Sequence, residues 1–329
     1  MDSRYTRYVK YVIYGAGAIG GVIGACLHRS GFDVTLIARG DHLKKIQSEG
    51  LRLVSADGIE VFNIPTVGHP NEIIWSGAHS IILTMKAQDT ADAIDTLQPL
   101  VPRSTPIISG QNGVANEITA SRWFDNVYAM LLLIPATFLN AGEVIHHVSQ
   151  KSGALGVLDT GRYPFGTDDY VDAICRDLTT SGFSATPDAE IMKLKYAKLI
   201  TNLNNAVGAI CGFESDTKGI YSRLKDEALH ILDKAAIEFD RERETQKYTL
   251  LGRAEVSGAP RGGSSSWQSV VRGGQIEVDF LNGEIVLIAK KMGLDAPANS
   301  LIQELAQKTA HEALKPGWIS PKEILEILD

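Results

Sequence analysis

The chain has little cysteine and no excess of positive charge. Its 329 residues include three cysteines, and the formal net charge is −7 at pH 7. Because Cys26, Cys175 and Cys211 show no C-x-x-C or C-x-x-H spacing, we expect core residues in a reducing compartment. The negative charge argues against nucleic acid or an anionic membrane as a general partner.

Long apolar runs are also missing. The most apolar segment, 129–134, is stopped by Pro135 well short of a membrane span. The first eight residues, MDSRYTRY, lack the apolar core of a signal peptide. The one adjacent histidine pair, His146-His147, would point to opposite faces of a strand, which does not favour metal ligation. These absences predict a cytoplasmic protein without a metal site.

The length of the chain suits two domains. Strand and helix patterns alternate through the first half, which is typical of a doubly wound parallel sheet. The expected strands are 9–14, 33–38, 80–85, 105–109 and 127–134, with extra edge strands at 143–147 and 154–158. From Thr186-Pro187 onward only helices are expected, the first running to about Ile210. We predict an α/β fold with a Rossmann-type N-terminal domain, 1–186, and an all-helical C-terminal domain, 187–329.

Three glycines stand where the first predicted strand ends and the next predicted helix begins. They stand at the spacing G-x-G-x-x-G within Y-V-I-Y-G-A-G-A-I-G-G. The first suits a tight turn, the second lets backbone approach a pyrophosphate, and the third lets the helix pack on the sheet. The helix N-terminus then presents N–H groups to the anion. The predicted cofactor residues of this loop are Gly15, Ala16, Gly17, Ala18, Ile19 and Gly20.

The residue after the second strand bears on which dinucleotide binds. NAD sites usually carry an acidic residue there for the ribose 2′-OH, whereas an arginine suits the 2′-phosphate of NADP. This chain has Arg39 at that point, and a guanidinium can bind phosphate bidentately. We therefore expect NADP(H). The alternative is that Arg39 is a solvated loop residue and that Asp41 bonds the ribose.

Polar residues at strand ends and on one helix are candidates for the site. Lys86 and Asn112 each follow a predicted buried strand, at the sheet edge where ligands bind. Lys198 and Asn202 stand four residues apart and Asn205 stands seven from Lys198, which places all three on one face of the predicted helix. The alternatives are ordinary loop residues for the first two and a solvated helix stripe for the other three.

The segment 264–286 holds further candidates with simple structural alternatives. Ser265 and Gln268 fit a helix capping box. Glu277 and Asp279 fit the acidic first turn of a predicted helix over 277–292. Spacing alone does not decide between these roles and a functional one.

Taken together, the motifs resemble those of the ketopantoate reductases (2-dehydropantoate 2-reductases), over about residues 10–313. The similar stretches are G-A-G-A-I-G-G, A-R-G, M-K-A-Q, Q-N-G, Y-A-K-L-I-T-N, S-S-x-W-Q-S, E-V-D-F-L-N-G-E-I-V and P-A-N. Several motifs in the family's order are far more specific than the glycine pattern alone.

The resemblance implies a role for each matching residue. Lys198 would be the proton donor, and Glu277 would support both the lysine and the cofactor. An ammonium can stabilise the negative charge that grows on a ketone oxygen during hydride transfer and then donate the proton. Beyond the glycine loop, the resemblance implies Asn112, Ala136 and Glu277 as NADPH residues, and the predicted cofactor residues also include Arg39 and Lys86, from their positions after strands. The implied substrate residues are Asn112, Asn202, Asn205 and Ser265.

Some residues depart from the family pattern. Tyr196 stands where a tryptophan is common, Asn205 comes one residue early, and Ser269 replaces an aspartate. Arg261 is added beside Ser265. The expected activity is NADPH-dependent reduction of a small 2-oxo acid, with ketopantoate the best single substrate. The alternatives are a paralogous reductase that uses Arg261 to clamp a bulkier or more acidic acid, and a non-catalytic NADPH sensor. A homodimer is left open.

Overall fold

The computed structural model describes residues 9–329, which divide into two compact units. The first unit comprises residues 9–111 together with 116–194 and 242–261. The second comprises 112–115, 195–241 and 262–329. The predicted domain bounds, 1–186 and 187–329, stay a prediction. The prediction about a signal peptide rests on residues 1–8 and lies outside the described residues.

The first unit is built on a seven-stranded sheet. Its strands are β1 (Lys10–Tyr14), β2 (Asp33–Ile37), β5 (Thr66–Val67), β6 (His79–Leu83), β7 (Ile107–Ser109), β8 (Val127–Met130) and β11 (Thr160–Arg162). Their spatial order is β11-β8-β7-β6-β1-β2-β5, and every pair is parallel except β11–β8. The apolar runs of the sequence form its buried central strands, as parallel sheets require. The predicted α/β fold with a parallel sheet is confirmed.

A second, four-stranded sheet belongs to the same unit. Its strands are β3 (Leu51–Ser55), β4 (Gly58–Phe62), β9 (Ala136–Thr137) and β10 (Glu143–His146), in the order β4-β3-β10-β9. The β3–β4 hairpin was not predicted; its two-residue turn is Ala56-Asp57, and Gly58 opens β4 opposite Ser55. The predicted strand at 154–158 is wrong, since this stretch makes only isolated bridges at Ala154 and Val157. β11, which follows this stretch, pairs with β8 at the edge of the seven-stranded sheet.

Helices cover the sheets of the first unit. They are α1 (Ala18–Arg29), α2 (Gly40–Glu49), α3 (Thr90–Leu97), α4 (Asn116–Ser121), α5 (Asp169–Thr180) and most of α9 (Arg241–Lys247). α9 is fixed by Lys247, whose Nζ atom lies 2.7 Å from the fully buried carboxylate of Asp159. This ion pair ties residues 242–261 to the first unit, although they lie far along the chain from its sheet.

The second unit is helical, and its described residues form no strand. Its helices are α6 (Ile191–Asn202, from Lys195 onward), α7 (Asn204–Cys211), α8 (Lys218–Lys234), α10 (Ser265–Val271), α11 (Asn282–Lys291), α12 (Pro297–His311) and α13 (Pro321–Leu328). The predicted all-helical C-terminal part is confirmed. Within residues 9–329, no helix combines the length and apolarity needed to cross a bilayer.

The predicted single helix from Pro187 to Ile210 is wrong at its start and in its middle. The N–H of Asp188 donates to the carbonyl of Thr160, and its carboxylate accepts from the N–H of Glu190, which holds 186–190 outside the helix. The helix is then interrupted at Leu203, whose carbonyl accepts from the side chain of Asn282. Leu203 keeps right-handed helical backbone angles, and the shared face of Lys198, Asn202 and Asn205 stays a prediction.

Two predicted features of the segment after Arg261 also differ. Ser264, not Ser265, is the N-cap of α10, and its hydroxyl accepts from the N–H of Trp267. Glu277 precedes a short 3₁₀ turn, Val278–Phe280, and α11 begins only at Asn282. Glu277 and Asp279 therefore do not stand in the first turn of an α-helix, and that alternative for their role is removed.

Candidate functional site

The glycine loop follows β1 at the point where the strand order reverses, because β1 pairs with β2 on one side and β6 on the other. Such a switch point is where open parallel sheets bind ligands. Gly15 has a φ of +108°, and a Cβ atom there would lie 2.6 Å from the amide nitrogen of Met85. A Cβ atom on Gly20 would lie 2.2 Å from the carbonyl oxygen of Gly15. These two glycines are required by the fold itself.

Gly17 differs from its two neighbours in the motif. A Cβ atom on it would have only one neighbouring atom, Cδ1 of Phe138 at 3.9 Å. Packing within the protein therefore does not demand a glycine here, whereas the close approach of a pyrophosphate would. Gly17 is also the N-cap of α1 and makes no side-chain cap, so Ala18 and Ile19 open a helix whose N–H groups suit an anion. These residues fit a dinucleotide phosphate.

Two side chains that sequence analysis missed hold this loop. The Thr84 hydroxyl donates to the carbonyl of Gly15 at 2.8 Å. The His42 imidazole on α2 lies 2.7 Å from the carbonyl oxygen of Ala16, through Nε2. Neither residue belongs to the glycine motif. The only sequence signals for a role at this loop were the position of Thr84 just after a strand and that of His42 at the start of the second helix.

Arg39 lies at the carboxyl end of β2, where the sequence placed it. It is the N-cap residue of α2, its side chain is 77% exposed, and its Nη2 atom lies 2.9 Å from Oδ2 of Asp89. Burial raises the pKa of Tyr14, at the end of β1, and the nearby Arg39 charge opposes that rise. The guanidinium therefore lies at the same edge of the sheet as the glycine loop.

Lys86 and Ala136 belong to the same unit as the glycine loop. Lys86 precedes the 3₁₀ turn Ala87–Asp89 just after β6, the strand beside β1. Ala136 lies in β9, two residues before Phe138, whose ring approaches Gly17. The first unit thus gathers the predicted dinucleotide residues other than Asn112 and Glu277.

The second unit contains Lys198 and the polar residues predicted around it. Asn202 follows Lys198 by one turn of α6, and its amide nitrogen lies 3.3 Å from the side-chain oxygen of Asn112. Asn112 belongs to a short loop, 112–115, that is part of this unit. The structure therefore brings together two of the residues that the sequence placed 90 positions apart.

Glu277 is connected to the same loop through the turn that follows it. Its side chain is buried, and its carbonyl accepts from the N–H of Phe280 at 3.0 Å. A Cβ atom on Gly113 would lie 2.8 Å from the carbonyl oxygen of Phe280, so only glycine allows the two segments to pack this closely. Residues 112–115 thus contact both α6 and the Glu277 turn.

Asn205 and Ser265 lie at a second junction of this unit. The Ser264 hydroxyl donates to the carbonyl of Asn205 at 2.8 Å, which joins α7 to the start of α10. Ser265 is the first residue of α10, and its carbonyl accepts from the hydroxyl of Ser269. Asn205 is the second residue of α7, and Asn202 is the last residue of α6.

Arg261, which departs from the family pattern near Ser265, has a shifted pKa. Burial and the neighbouring Arg253 lower its pKa, and its charge in turn helps to lower the pKa of His147. The guanidinium of Arg253 stacks 5.6 Å from the ring centre of Tyr248. In residues 9–329, no three His, Cys, Asp or Glu side chains are grouped to hold a metal ion.

An α/β unit with this glycine loop at its switch point, joined to a helical unit, defines a dinucleotide-binding class of protein. Residues 11–159 match the family model described as ketopantoate reductase PanE/ApbA, and residues 190–310 match the model of that family's C-terminal part. The chain belongs to the ketopantoate reductase family. Members of this family are oxidoreductases that act on CH–OH groups, and this chain is an enzyme of that class.

Known proteins resemble the chain along nearly its whole length. A 2-dehydropantoate 2-reductase from Pyrococcus horikoshii is 29% identical over 317 residues, which cover 94% of this chain and 99% of the relative. One from Archaeoglobus fulgidus is 27% identical and covers 92% and 98%.

Solved structures share the fold. A family member from Ralstonia eutropha superposes with a TM-score of 0.76 at 24% identity, covering 92% of this chain and 99% of that one. The ternary structure of D-mandelate dehydrogenase with NADH and anilino(oxo)acetate gives a TM-score of 0.78 at 21% identity, with the same coverage.

Proposed function

We propose that the chain reduces a small 2-oxo acid to the 2-hydroxy acid with NADPH, and that ketopantoate is its best single substrate. The observation that carries the proposal is the contact between Asn202 and Asn112 one helical turn from Lys198. The substrate class follows from the family and from relatives named 2-dehydropantoate 2-reductase.

NADPH, when bound, supplies the hydride to the ketone carbon. We assign its phosphates to Gly15–Gly20, because Gly17 keeps free the space that a Cβ atom would fill. We assign the 2′-phosphate to Arg39, because a guanidinium at the end of β2 can form two parallel hydrogen bonds to phosphate. Lys86 and Ala136 complete the proposed cofactor residues in this unit.

Lys198 is the proposed proton donor. Its ammonium group can stabilise charge on the ketone oxygen and then transfer a proton to it. Glu277 orients the lysine and contributes to the cofactor site. Asn112, Asn202, Asn205 and Ser265 supply neutral hydrogen-bond donors to the carboxylate and hydroxyl oxygens of the substrate.

A second candidate substrate is a 2-oxo acid with an additional carboxylate. The observation that favours it is Arg261, whose pKa is lowered by burial and then by repulsion from Arg253. A carboxylate bound there would relieve that repulsion.

The test is NADPH oxidation, followed by near-ultraviolet absorbance, against a panel of 2-oxo acids. The panel contains ketopantoate, a bulkier monoacid and a diacid such as 2-oxoglutarate. Highest kcat/KM with ketopantoate supports the main proposal, and highest kcat/KM with the diacid supports the second candidate. If NADPH binds but no acid is reduced, a non-catalytic sensor is favoured.

We also propose a cytoplasmic homodimer, the assembly left open by the sequence. One structure with the same fold, at 19% identity, is that of a dimeric ketopantoate reductase from Staphylococcus aureus. Sedimentation equilibrium of the purified chain with and without NADPH tests the assembly, and a single species at monomer mass would contradict it.

A further inference from the structure

His42 is a buried histidine of α2, three residues after Arg39, and both its ring nitrogens are bonded. Its Nδ1 atom accepts from the N–H of Gly142 at 2.8 Å. A backbone N–H can only donate, so Nδ1 carries no hydrogen. Nε2 therefore carries the hydrogen and donates it to the carbonyl of Ala16 at 2.7 Å. These two bonds require the neutral imidazole in a single tautomer.

The imidazole also packs against Phe138, whose ring approaches the glycine loop at Gly17. Its ring centre lies 4.4 Å from that of Phe138. Cδ1 of Phe138 would in turn lie 3.9 Å from a Cβ atom on Gly17. His42 thus connects the turn after β1, the segment after β9 and the turn before β10.

We propose that His42 is a positioning residue for the dinucleotide: by holding Ala16 and Gly142 together, it fixes the turn Gly15–Gly17 in the shape that receives the pyrophosphate. This inference rests on the proposed function, since it concerns the same phosphate site. The inference adds His42, which contacts the loop through the carbonyl of Ala16, to the residues of that site.

The physical reason is preorganisation. A turn already held in its binding shape loses less conformational entropy when the ligand arrives, so affinity rises without a new ligand contact. Replacing the imidazole by a hydrocarbon would leave a buried carbonyl and a buried N–H without these partners, and the loop would shift to find others.

The experiment compares NADPH dissociation constants, measured by calorimetry, for wild type, His42→Phe, His42→Gln and His42→Asn. We expect His42→Phe to weaken NADPH binding about 10- to 100-fold, as the loss of two buried hydrogen bonds predicts. The kcat at saturating NADPH should fall much less than the affinity. His42→Gln places its amide at the depth of Nε2 and should keep more affinity than His42→Asn, which reaches only toward Gly142.

The matched control is His146→Phe, which removes another buried histidine of the same unit. The Nε2 atom of His146 lies 2.7 Å from the carbonyl oxygen of Leu155, which is not a residue of the glycine loop. The control should bind NADPH like wild type.

Two results overturn the inference. One is an unchanged NADPH affinity in a folded His42→Phe variant. The other, which decides if His42→Phe does not fold, is equal affinity in His42→Gln and His42→Asn. A wild-type protein that binds no NADPH counts against the proposed function instead.

Discussion

The Nη2 atom of Arg39 lies 2.9 Å from the Oδ2 atom of Asp89, so the cation proposed to bind the 2′-phosphate already has a carboxylate partner. The pair is exposed, and such pairs contribute at most about 1 kcal/mol. A phosphate carries more charge and accepts two parallel bonds from a guanidinium, so it can displace the carboxylate. If Arg39 binds the 2′-phosphate as proposed, the two side chains together would set the preference for NADP over NAD.

The first prediction concerns Arg39. Arg39→Ala should weaken NADPH binding about 10- to 100-fold while changing NADH binding by less than about threefold, because only NADPH loses a bidentate phosphate contact. Dissociation constants for both nucleotides measure this. Arg52→Ala, which removes an exposed arginine 2.9 Å from Glu143, is the control and should alter neither. Equal losses for NADPH and NADH would contradict the assigned role.

The second prediction concerns Asp89. Asp89→Asn removes the negative charge that competes with the 2′-phosphate for Arg39. We expect the ratio of NADH to NADPH dissociation constants to rise by about two- to fivefold, the scale of one exposed ion pair. The rise should disappear in the double variant with Arg39→Ala. A rise that persists there would show that Asp89 acts on the phosphate independently of Arg39.

The third prediction separates two glycines of the loop. Gly17→Ala should cost no more than about 1 kcal/mol of stability, since its Cβ atom meets only Phe138, yet it should weaken NADPH binding severely. Gly20→Ala should destabilise the protein by about 1–3 kcal/mol or more, because its Cβ atom would overlap the Gly15 carbonyl. Urea unfolding and NADPH titration measure the two effects. Normal NADPH affinity in Gly17→Ala would place the pyrophosphate elsewhere.

The glycine loop was predictable because its requirements are local. The tight turn, the space for a pyrophosphate and the start of the helix all lie within Gly15–Gly20. A particular glycine of the motif suits each of these three requirements. The β3–β4 hairpin was missed although Asp57-Gly58, where its turn passes into β4, was also a local signal.

The interruption at Leu203 was not predictable in this way. It is stabilised by Asn282, which lies 79 residues later and donates to the Leu203 carbonyl. Asn282 also donates to Asn299, and Asn299 bonds Glu227 through both its backbone and its side chain. The family-like motifs around Asn282 and Asn299 therefore serve packing among α8, α11 and α12. Such a polar network satisfies buried groups that the local sequence leaves open.

The fourth prediction concerns Lys198. Lys198→Ala should lower kcat about 10²- to 10⁴-fold, the usual contribution of a general acid, while NADPH affinity stays within a few-fold of wild type. Lys193→Ala, which removes a lysine from an earlier turn of α6 that pairs with Glu190, is the control. Steady-state kinetics with the best 2-oxo acid and NADPH titration give both numbers. Full turnover in Lys198→Ala would exclude it as the proton donor.

Glu277 offers a companion measurement for that assignment. If it orients Lys198, Glu277→Gln should lower kcat by less than Lys198→Ala does, and the double variant should be no slower than Lys198→Ala alone. Independent, multiplicative losses would instead assign Glu277 a role separate from the lysine.

The last prediction concerns pH and the buried His146. Burial lowers the pKa of this imidazole from 6.5 to about 4. As pH falls below about 6.5, the unfolded chain takes up a proton that the folded chain refuses, so stability is lost between about pH 6.5 and 4. At about pH 5 the loss should reach about 2 kcal/mol. His146→Phe should remove that part of the pH dependence, whereas the exposed His311→Gln should not. Urea unfolding at about pH 7 and about pH 5 measures the difference, and an equally steep decline in His146→Phe would assign the acid sensitivity to other groups.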